Sequence, residues 1–209
     1  MNPPPDILAF RGEYEFLSNF WPAPTPHNLT IGNQTLDTMW DTAEHAYQAA
    51  KAIDINYAQY VHAAPTPAEA KRRGRAVPQR PDWEDIKLSV MAHVVAMKFS
   101  YHPDLRLALL NTGDSTLVEG NNWGDTFWGK CEGVGENHLG LILMGVRKAL
   151  RDEHLTAYQC AGHWWKIEPA GVTPGPKSYG ECNKCGAGAY FDNVGPALAW
   201  EDDSLIQED

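Results

Sequence analysis

The sequence predicts an α+β fold dominated by helix, followed by a small C-terminal segment of different character. Three observations lead to this prediction. Several stretches combine a helix start signal with apolar residues at helical spacing. The strand candidates are short and lie mostly near the N-terminus, and the last fifty residues are rich in glycine and proline. We therefore expect a compact, mostly helical domain over about 7–155 and a separate segment over 160–209 whose acidic end is disordered.

Strands are predicted first. Residues 7–10 and 14–17 each have the composition of a short strand. Residues 29–31 and 34–36 are separated by Gly32 and Asn33, which is typical of a hairpin. A further strand candidate covers 116–119.

Helices account for most of the remaining domain. Asp41 can cap the first helix, with Glu44 placed as in a capping box. The second start is clearer, because Thr66 can cap a helix that has Pro67 at its first position and Glu69 three residues after the cap. Three more helices are predicted over 82–99, 104–110 and from Asn137 to 150.

The charge of the chain disfavours one class of function. The chain carries 17 basic and 27 acidic residues, and its net charge of −10 repels phosphate backbones at long range. A protein that coats DNA or RNA is therefore disfavoured, whereas recognition of a single nucleotide in a pocket is not. Five basic residues form either a solvated helix face or a rim that attracts a phosphorylated ligand. They are Lys71, Arg72, Arg73, Arg75 and Arg80.

The sequence contains no signal for a membrane. No apolar run approaches the ~20 residues that a bilayer span requires. The N-terminal residues also lack the basic and apolar regions of a secretory signal. We expect a cytoplasmic protein without a membrane partner.

A polar stripe on the first predicted helix is the first candidate site. Glu44, Gln48 and Lys51 fall at about 0°, 40° and −20° around the helix axis, beside the apolar stripe. Such a stripe suits the wall of a cleft. Alternatively, Glu44 only caps the helix and Lys51 only favours its C-terminal end. His45 is either a substrate contact or a half-buried histidine with satisfied hydrogen bonds.

The segment 119–129 is the second candidate site. Glu119 and Asp125 are acceptors for the exchangeable protons of a nucleobase, and Trp123 and Trp128 offer flat faces on which a base can stack. The alternative is a compact loop whose tryptophans fill the core. The glycine-containing stretch 133–137 then leads into the last helix, where it forms either an anion site or a plain loop.

Four residues of the C-terminal segment have the spacing of a metal site. Cys160 and His163 form one pair of ligands, and Cys182 and Cys185 form the other, which matches a tetrahedral structural zinc site. A reducing cytosol disfavours a disulfide. The alternatives are unrelated free thiols, or a ligand set in which Cys131 or His154 substitutes.

Several motifs occur in a recognisable order. They are YEFLSNF at 14–20, TAEHAYQAAK at 42–51, LVEGN at 117–121, WGDTFWG at 123–129 and GENHLG at 135–140. Together they resemble the NADAR family, also called YbiA-like, over about residues 7–151. This resemblance implies a mostly helical α+β domain that handles ADP-ribose-like or related nucleotides and has N-glycosidase activity. One branch of the family cleaves phosphorylated aminopyrimidine intermediates of riboflavin biosynthesis, and another removes ADP-ribose from guanine in nucleic acid.

The chemistry implied by the resemblance assigns roles to these residues. Glu44 is expected to stabilise the sugar cation. Lys51 is expected either to attack C1′ and form a Schiff base with the sugar, or only to bind phosphate. Asp125 is the third catalytic candidate and would recognise the base together with Trp128. The expected substrate contacts are Arg11, Asn19, Phe20, His45, Gln48, Glu119, Trp128, Gly129, Gly135 and Asn137.

Structural zinc is the only cofactor that we expect, and no redox cofactor or catalytic metal is called for. The expected substrate is a small nucleotide or an ADP-ribosylated base in nucleic acid. Two alternatives stay open. In one, the pocket holds ADP-ribose or a nucleotide without cleaving it, and the zinc segment docks a partner protein. In the other, the chain is a zinc-ribbon adaptor attached to an inert domain.

Overall fold

The computed structural model describes residues 5–159 and the strand residues 165–167, 177–182 and 188–192, with side chains described as far as residue 152. The chain falls into two compact units, Met1–Arg151 and Asp152–Asp209. Helix predominates over strand in the first unit, as predicted. No helix of the described ranges is both long and apolar enough to cross a membrane.

The N-terminal part contains one hairpin and a short 3-10 helix. Strands β1 (Thr25–Ile31) and β2 (Gln34–Trp40) pair antiparallel across the predicted turn, which confirms the hairpin and extends it at both ends. The strand predicted at 14–17 is wrong, because Gly12–Leu17 forms a 3-10 helix whose turns place Leu17 in the core. Of residues 7–10, only Ile7 pairs, through a single bridge to Leu117.

Six helices lie in the described part of the chain. They are α1 (Ala43–Ala49), α2 (Ile55–His62), α3 (Pro67–Ala76), α4 (Trp83–Tyr101), α5 (Pro103–Asn111) and α6 (His138–Gln159). Thr66 caps α3 as predicted, by accepting a hydrogen bond from the Glu69 amide. The cap of α1 is Thr42 rather than Asp41, since the Thr42 hydroxyl accepts from the His45 amide. Helix α2 was not predicted.

Two very short parallel strands complete the first unit. Strand β3 (Gly120–Asn121) pairs with β4 (Lys130–Cys131) and closes the loop between them. The strand predicted at 116–119 therefore lies just before the observed one. The segment 122–129 between the two strands therefore forms a loop whose two ends lie side by side.

Helix α1 lies at the centre of the hydrophobic core. All seven of its residues are buried, and it contacts β2, α2, α3 and α4. An α-helix that is surrounded in this way can hold polar side chains only where they face one another or a cavity. The polar stripe of α1 is thereby placed inside the domain.

The second unit contains an antiparallel sheet of three strands, β5 (Trp165–Ile167), β6 (Lys177–Cys182) and β7 (Gly188–Asp192), in that order. Three predicted zinc ligands, Cys160, His163 and Cys185, lie outside the described residues, and Cys182 ends β6 without a described side chain. Where side chains are described, no group of three or more His, Cys, Asp or Glu residues could hold a metal ion, and Cys131 is a free thiol.

Candidate active site

The polar stripe of α1 opens into a cavity of about 360 Å³. Its walls come from residues before and within the 3-10 helix, the turn after that helix, α1 with Lys51 two residues beyond its end, α3, α4, the loop around β3, and α6. The side chains that matter for chemistry are Asn19, Phe20, Glu44, Gln48, Lys51, Lys71, Arg75, Glu119, Trp123, Asp125 and Trp128. The structure thus brings the two candidate sites of the sequence into a single cavity.

Glu44 is almost fully enclosed, with 5% of its surface exposed. The Gln48 side-chain amide donates to Glu44 Oε1 over 2.7 Å, and the Glu44 main-chain amide donates to the carbonyl of Asn19. Burial raises the pKa of Glu44, whereas the charges of Lys71, Lys51 and the more distant Arg75 oppose this shift. Burial therefore makes the protonated form of Glu44 easier to reach than that of a free glutamate.

Gln48 is packed tightly against α3. A Cβ atom on Gly74 would lie 2.4 Å from Gln48 Oε1, so only glycine fits at this position of α3. Gln48 Oε1 is buried and has no hydrogen-bond partner in the described part of the chain. This close contact fixes the amide that orients Glu44.

Lys51 follows α1 and turns its ammonium group over aromatic rings. Its Nζ atom lies 5.1 Å from the centre of the Tyr47 ring and 5.6 Å from that of Trp83. Burial lowers the pKa of Lys51 to about 8, although Glu44 opposes the shift. A sizeable fraction of Lys51 is therefore the neutral amine at physiological pH, as a nucleophile requires.

The predicted basic cluster divides between the cavity and the surface. Lys71 and Arg75 point from one face of α3 towards the cavity. Arg72 and Arg73 instead pair with Glu69, and Arg80 pairs with Asp82. Lys71 and Arg75 thus border the cavity, Arg72 is exposed on α3, and Arg73 and Arg80 are partly buried in their ion pairs.

Two carboxyl groups from the loop around β3 face this cavity in different settings. Asp125 Oδ1 accepts hydrogen bonds from the main-chain amides of Phe127 and Trp128, at 3.2 and 2.9 Å. Burial and the neighbouring charge of Asp125 raise the pKa of Glu119 to about 7, against the charges of Lys71 and Arg11. The Asp125 carboxyl group is thus hydrogen-bonded to the main chain, whereas Glu119 Oε2 has no hydrogen-bond partner among the described residues.

Aromatic rings line the same end of the cavity. Trp128 packs edge-to-face on Tyr47, with ring centres 5.5 Å apart, and also borders the core. Trp123 is 59% exposed at the mouth. Trp128 therefore serves both as part of the core and as a wall of the cavity, and Trp123 remains available for stacking.

The turn 18–20 forms the opposite wall. Asn19 donates from Nδ2 to the Met91 sulfur over 3.1 Å, while its Oδ1 is buried and has no partner among the described residues. Phe20 lies at the rim beneath the Lys71 ammonium, 5.7 Å from it. Both residues line the cavity, as the sequence predicts.

A buried lysine that the sequence analysis missed supports this turn. Lys98 is 1% exposed and donates to the carbonyl oxygens of Phe16 and Ser18, at 2.6 and 2.8 Å. Burial lowers its pKa to about 7. A lone lysine within the apolar run of α4 was the available signal.

The sequence analysis also did not single out Lys71 and Arg75 from the basic cluster, because the direction of their side chains depends on how α3 packs.

Two predicted substrate contacts lie elsewhere. His45 is buried on the other side of α1, where its ring contacts the Thr42 hydroxyl at 2.8 Å and the Ala64 carbonyl at 3.1 Å. It is therefore the histidine with satisfied hydrogen bonds. Arg11 borders a separate shallow groove beside Lys130 and does not line the cavity.

Of the two alternatives for the stretch before α6, the structure supports the plain loop and not the anion site. The amides of residues 136–139 all donate to carbonyl groups of the loop 126–129, so none is free for a phosphate. Gly135 is needed for packing, since its φ is +147° and a Cβ atom there would lie 2.3 Å from the Gly129 carbonyl oxygen. Asn137 turns its side chain to the main chain of Leu117 and Glu119. Gly129 is likewise buried beneath Glu119.

Comparison with known proteins identifies the family. Residues 9–151, more than half of the chain, match the NADAR domain. The chain belongs to the NADAR family. The NADAR match covers every residue that lines the cavity.

Relatives of this NADAR protein carry informative names. A protein of Nostoc punctiforme named as an N-glycosidase is 42% identical over 145 residues, which are 66% of this chain and 87% of that protein. A riboflavin biosynthesis protein of Vibrio vulnificus is 39% identical over 140 residues, 66% of this chain and 36% of that protein. The NMR structure of Escherichia coli YbiA matches with a TM-score of 0.60 and 33% identity, over 76% of this chain and 90% of that one.

Proposed function

We propose that this NADAR protein cleaves the N-glycosidic bond between a nucleobase-like group and ribose phosphate or ADP-ribose. The general activity follows from the family and from relatives that are named N-glycosidases. The match to this chain spans most of the length of those relatives. The chain is accordingly a hydrolase of N-glycosidic bonds. The finer assignment rests on one observation: a buried carboxyl, a lysine with a lowered pKa and stacking aromatic rings share one cavity.

Lys51 acts as the nucleophile in the proposed reaction. Its neutral amine attacks C1′, the bond from C1′ to the base nitrogen breaks, and the electron pair of that bond leaves with the base. Opening of the sugar ring then gives a Schiff base on Lys51, and water hydrolyses it to release the sugar phosphate and restore the amine. Glu44 stabilises the cationic sugar, accepts the proton that Lys51 loses on attack, and gives it to the ring oxygen as the sugar ring opens.

The remaining walls position the substrate. Lys71 and Arg75 bind the phosphate, because they are the cations at the rim that face the cavity. Trp123 and Trp128 hold the base. Asn19 Oδ1 accepts a hydrogen bond from a hydroxyl group of the sugar, since this buried oxygen has no other partner among the described residues. Candidate substrates are ADP-ribosyl-guanine and the phosphorylated aminopyrimidine intermediates of riboflavin biosynthesis.

Turnover and trapping test this proposal together. We expect the purified chain to release the base from at least one of these two substrates, and Lys51→Ala and Glu44→Gln to lower kcat by at least about 100-fold. Sodium cyanoborohydride should fix a sugar phosphate to Lys51, visible by mass spectrometry. Lys51→Arg separates the two roles of this residue, because arginine can still bind phosphate and cannot form the imine.

The matched control is Arg72→Ala, which removes a cation that pairs with Glu69 and does not line the cavity, and is expected to leave kcat unchanged. Full activity in Lys51→Arg, without a trapped adduct, would reduce Lys51 to a phosphate ligand. A stable complex of the wild-type chain with either substrate, and no release of base, would instead identify a binding module.

We also propose a structural zinc ion in the C-terminal segment, held by Cys160, His163, Cys182 and Cys185. This proposal is supported by their spacing alone. Four protein ligands would leave no open position, so the metal would stabilise the segment rather than take part in the reaction. A partner protein would then bind on the folded segment.

A further inference from the structure

The departing base needs a proton, and two carboxyl groups lie at the end of the cavity that holds it. This inference rests on the proposed function, since it concerns the leaving group of that reaction. Glu119 and Asp125 come from the same loop and line the same cavity as Trp128. Two carboxyl groups in one site commonly divide the work according to their surroundings.

The Asp125 side chain is hydrogen-bonded to the main chain of its own loop. Its Oδ1 accepts two amide hydrogen bonds, from Phe127 and Trp128. The Asp125 main chain is fixed as well, because its amide donates to Asn121 Oδ1 over 3.1 Å and its carbonyl accepts from Asn121 Nδ2 over 2.7 Å. Asp125 therefore shapes the loop, since hydrogen bonds hold both its side chain and its main chain in place.

Glu119 has the opposite surroundings. Its Oε2 is buried and has no hydrogen-bond partner in the described part of the chain. An unpartnered carboxylate oxygen in an enclosed site is costly, whereas the protonated acid is not. Burial and the neighbouring charge of Asp125 favour the protonated form of Glu119, while Lys71 and Arg11 oppose it.

A hydrogen bond and close packing fix the main chain of Glu119. Its amide donates to Asn137 Oδ1 over 3.0 Å. A Cβ atom on Gly129 would lie 2.1 Å from the Glu119 carbonyl oxygen and 3.0 Å from its Cγ, so the glycine allows the loop to close onto this residue. Gly129 and Asn137, which were expected to touch substrate, are instead placed to position Glu119.

We propose that Glu119 is the general acid that protonates the departing base. As the bond from C1′ to the base nitrogen breaks, its electron pair moves onto the base, and the proton of Glu119 passes to the base. Glu119 is left as a carboxylate. The water that hydrolyses the Schiff base then gives its proton back to Glu119, so the catalytic cycle closes without another reactant.

Two substrates with different leaving groups test this role. The first is whichever N-glycoside the wild-type chain cleaves, and the second is 4-nitrophenyl ribofuranoside 5-phosphate, whose leaving group needs no proton. We expect Glu119→Gln to lower kcat/KM for the N-glycoside by at least about 100-fold and for the nitrophenyl compound by less than about 3-fold. Glu136→Gln, an exposed carboxyl on the same segment of chain but outside the cavity, is the control.

The outcomes separate this inference from the proposed function. A wild-type chain that cleaves neither substrate contradicts the function itself. If the wild-type chain cleaves both and Glu119→Gln slows both alike, Glu119 has only a structural role and the inference is wrong. Unchanged rates on both substrates also overturn it. Binding of ribose 5-phosphate by Glu119→Gln, compared with wild type, shows whether the cavity is intact.

Discussion

At the scale of single residues, Lys51 and Glu44 have pKa shifts in opposite directions for one physical reason. Burial penalises the charged form of each group, which lowers the pKa of Lys51 to about 8 and raises that of Glu44. The two pKa values lie about six pH units apart for the free side chains. The cavity narrows this gap, so a proton can pass between the two groups during nucleophilic attack at a smaller cost in free energy.

The pH dependence of the reaction follows from two of these residues. Lys51 must be neutral, so activity rises as the pH increases through its pKa of about 8, while Glu119 must be protonated, so activity falls as the pH increases through its pKa of about 7. Because the required forms coexist in only a small fraction of molecules, we expect a bell-shaped kcat/KM profile centred near pH 7.5, with half-maximal rates at roughly pH 6.6 and pH 8.4.

The leaving group tells the two limbs of this profile apart. With 4-nitrophenyl ribofuranoside 5-phosphate, no acid is needed, and the profile should become a single rise through about pH 8. Steady-state rates of the wild-type chain with both substrates, between pH 5.5 and pH 9.5, measure this change. A falling limb that persists with the nitrophenyl compound would mean that another group controls it.

At the scale of helices and strands, the site depends on how closely α1 and α3 approach each other. Gly74→Ala would place a Cβ atom 2.4 Å from Gln48 Oε1 and 2.8 Å from Gln48 Cβ. We expect this variant to lose about 1–3 kcal/mol of unfolding free energy by overpacking and to lose activity as Gln48 moves off Glu44. Urea unfolding and steady-state kinetics measure the two effects.

Gly145→Ala is the matched control, because a Cβ atom there meets nothing within 4 Å and Gly145 lies inside α6. Alanine should leave activity unchanged and raise the unfolding free energy by up to about 1 kcal/mol. Equal stability of the Gly74 variant and the wild-type chain would show that α1 and α3 have room to separate.

The sequence predicts those parts of the site that one segment carries. Glu44 and Gln48 share a cavity because a helix of fixed pitch brings them to one face, and Lys51 reaches it from the turn directly after α1. The parts that depend on packing were not predicted. Lys71 and Arg75 are distinguished from Arg72 only by the way α3 packs on α1, and Asn137 became a support for Glu119 because a φ of +59° turns it away from the usual cap geometry.

Wrong predictions of secondary structure have similar causes. The stretch 14–17 has the composition of a strand, yet it closes into a 3-10 helix whose aromatic residues pack on the core. Tertiary contacts commonly override local preference in such short stretches. The hairpin and the helix capped by Thr66 were predicted correctly because turn and cap residues act through bonds to their near neighbours.

At the scale of the whole molecule, chemistry and metal binding are assigned to different units. Glu44, Lys51 and Glu119 all belong to the unit Met1–Arg151, which contains the NADAR match. The proposed zinc ligands belong to Asp152–Asp209, whose sheet has three strands of three to six residues. So small a sheet rarely holds together without a metal or another staple.

Zinc removal should therefore affect one unit only. We expect one zinc ion per chain by inductively coupled plasma mass spectrometry, no bound zinc in Cys185→Ser, and an unchanged zinc content in Cys131→Ser. Because metal binding supplies the folding free energy of such segments, chelation should reduce the strand signal in circular dichroism and leave kcat within about 2-fold of its original value. Loss of turnover on chelation would place the metal in the reaction, and zinc retained in Cys185→Ser would show that a different ligand set holds it.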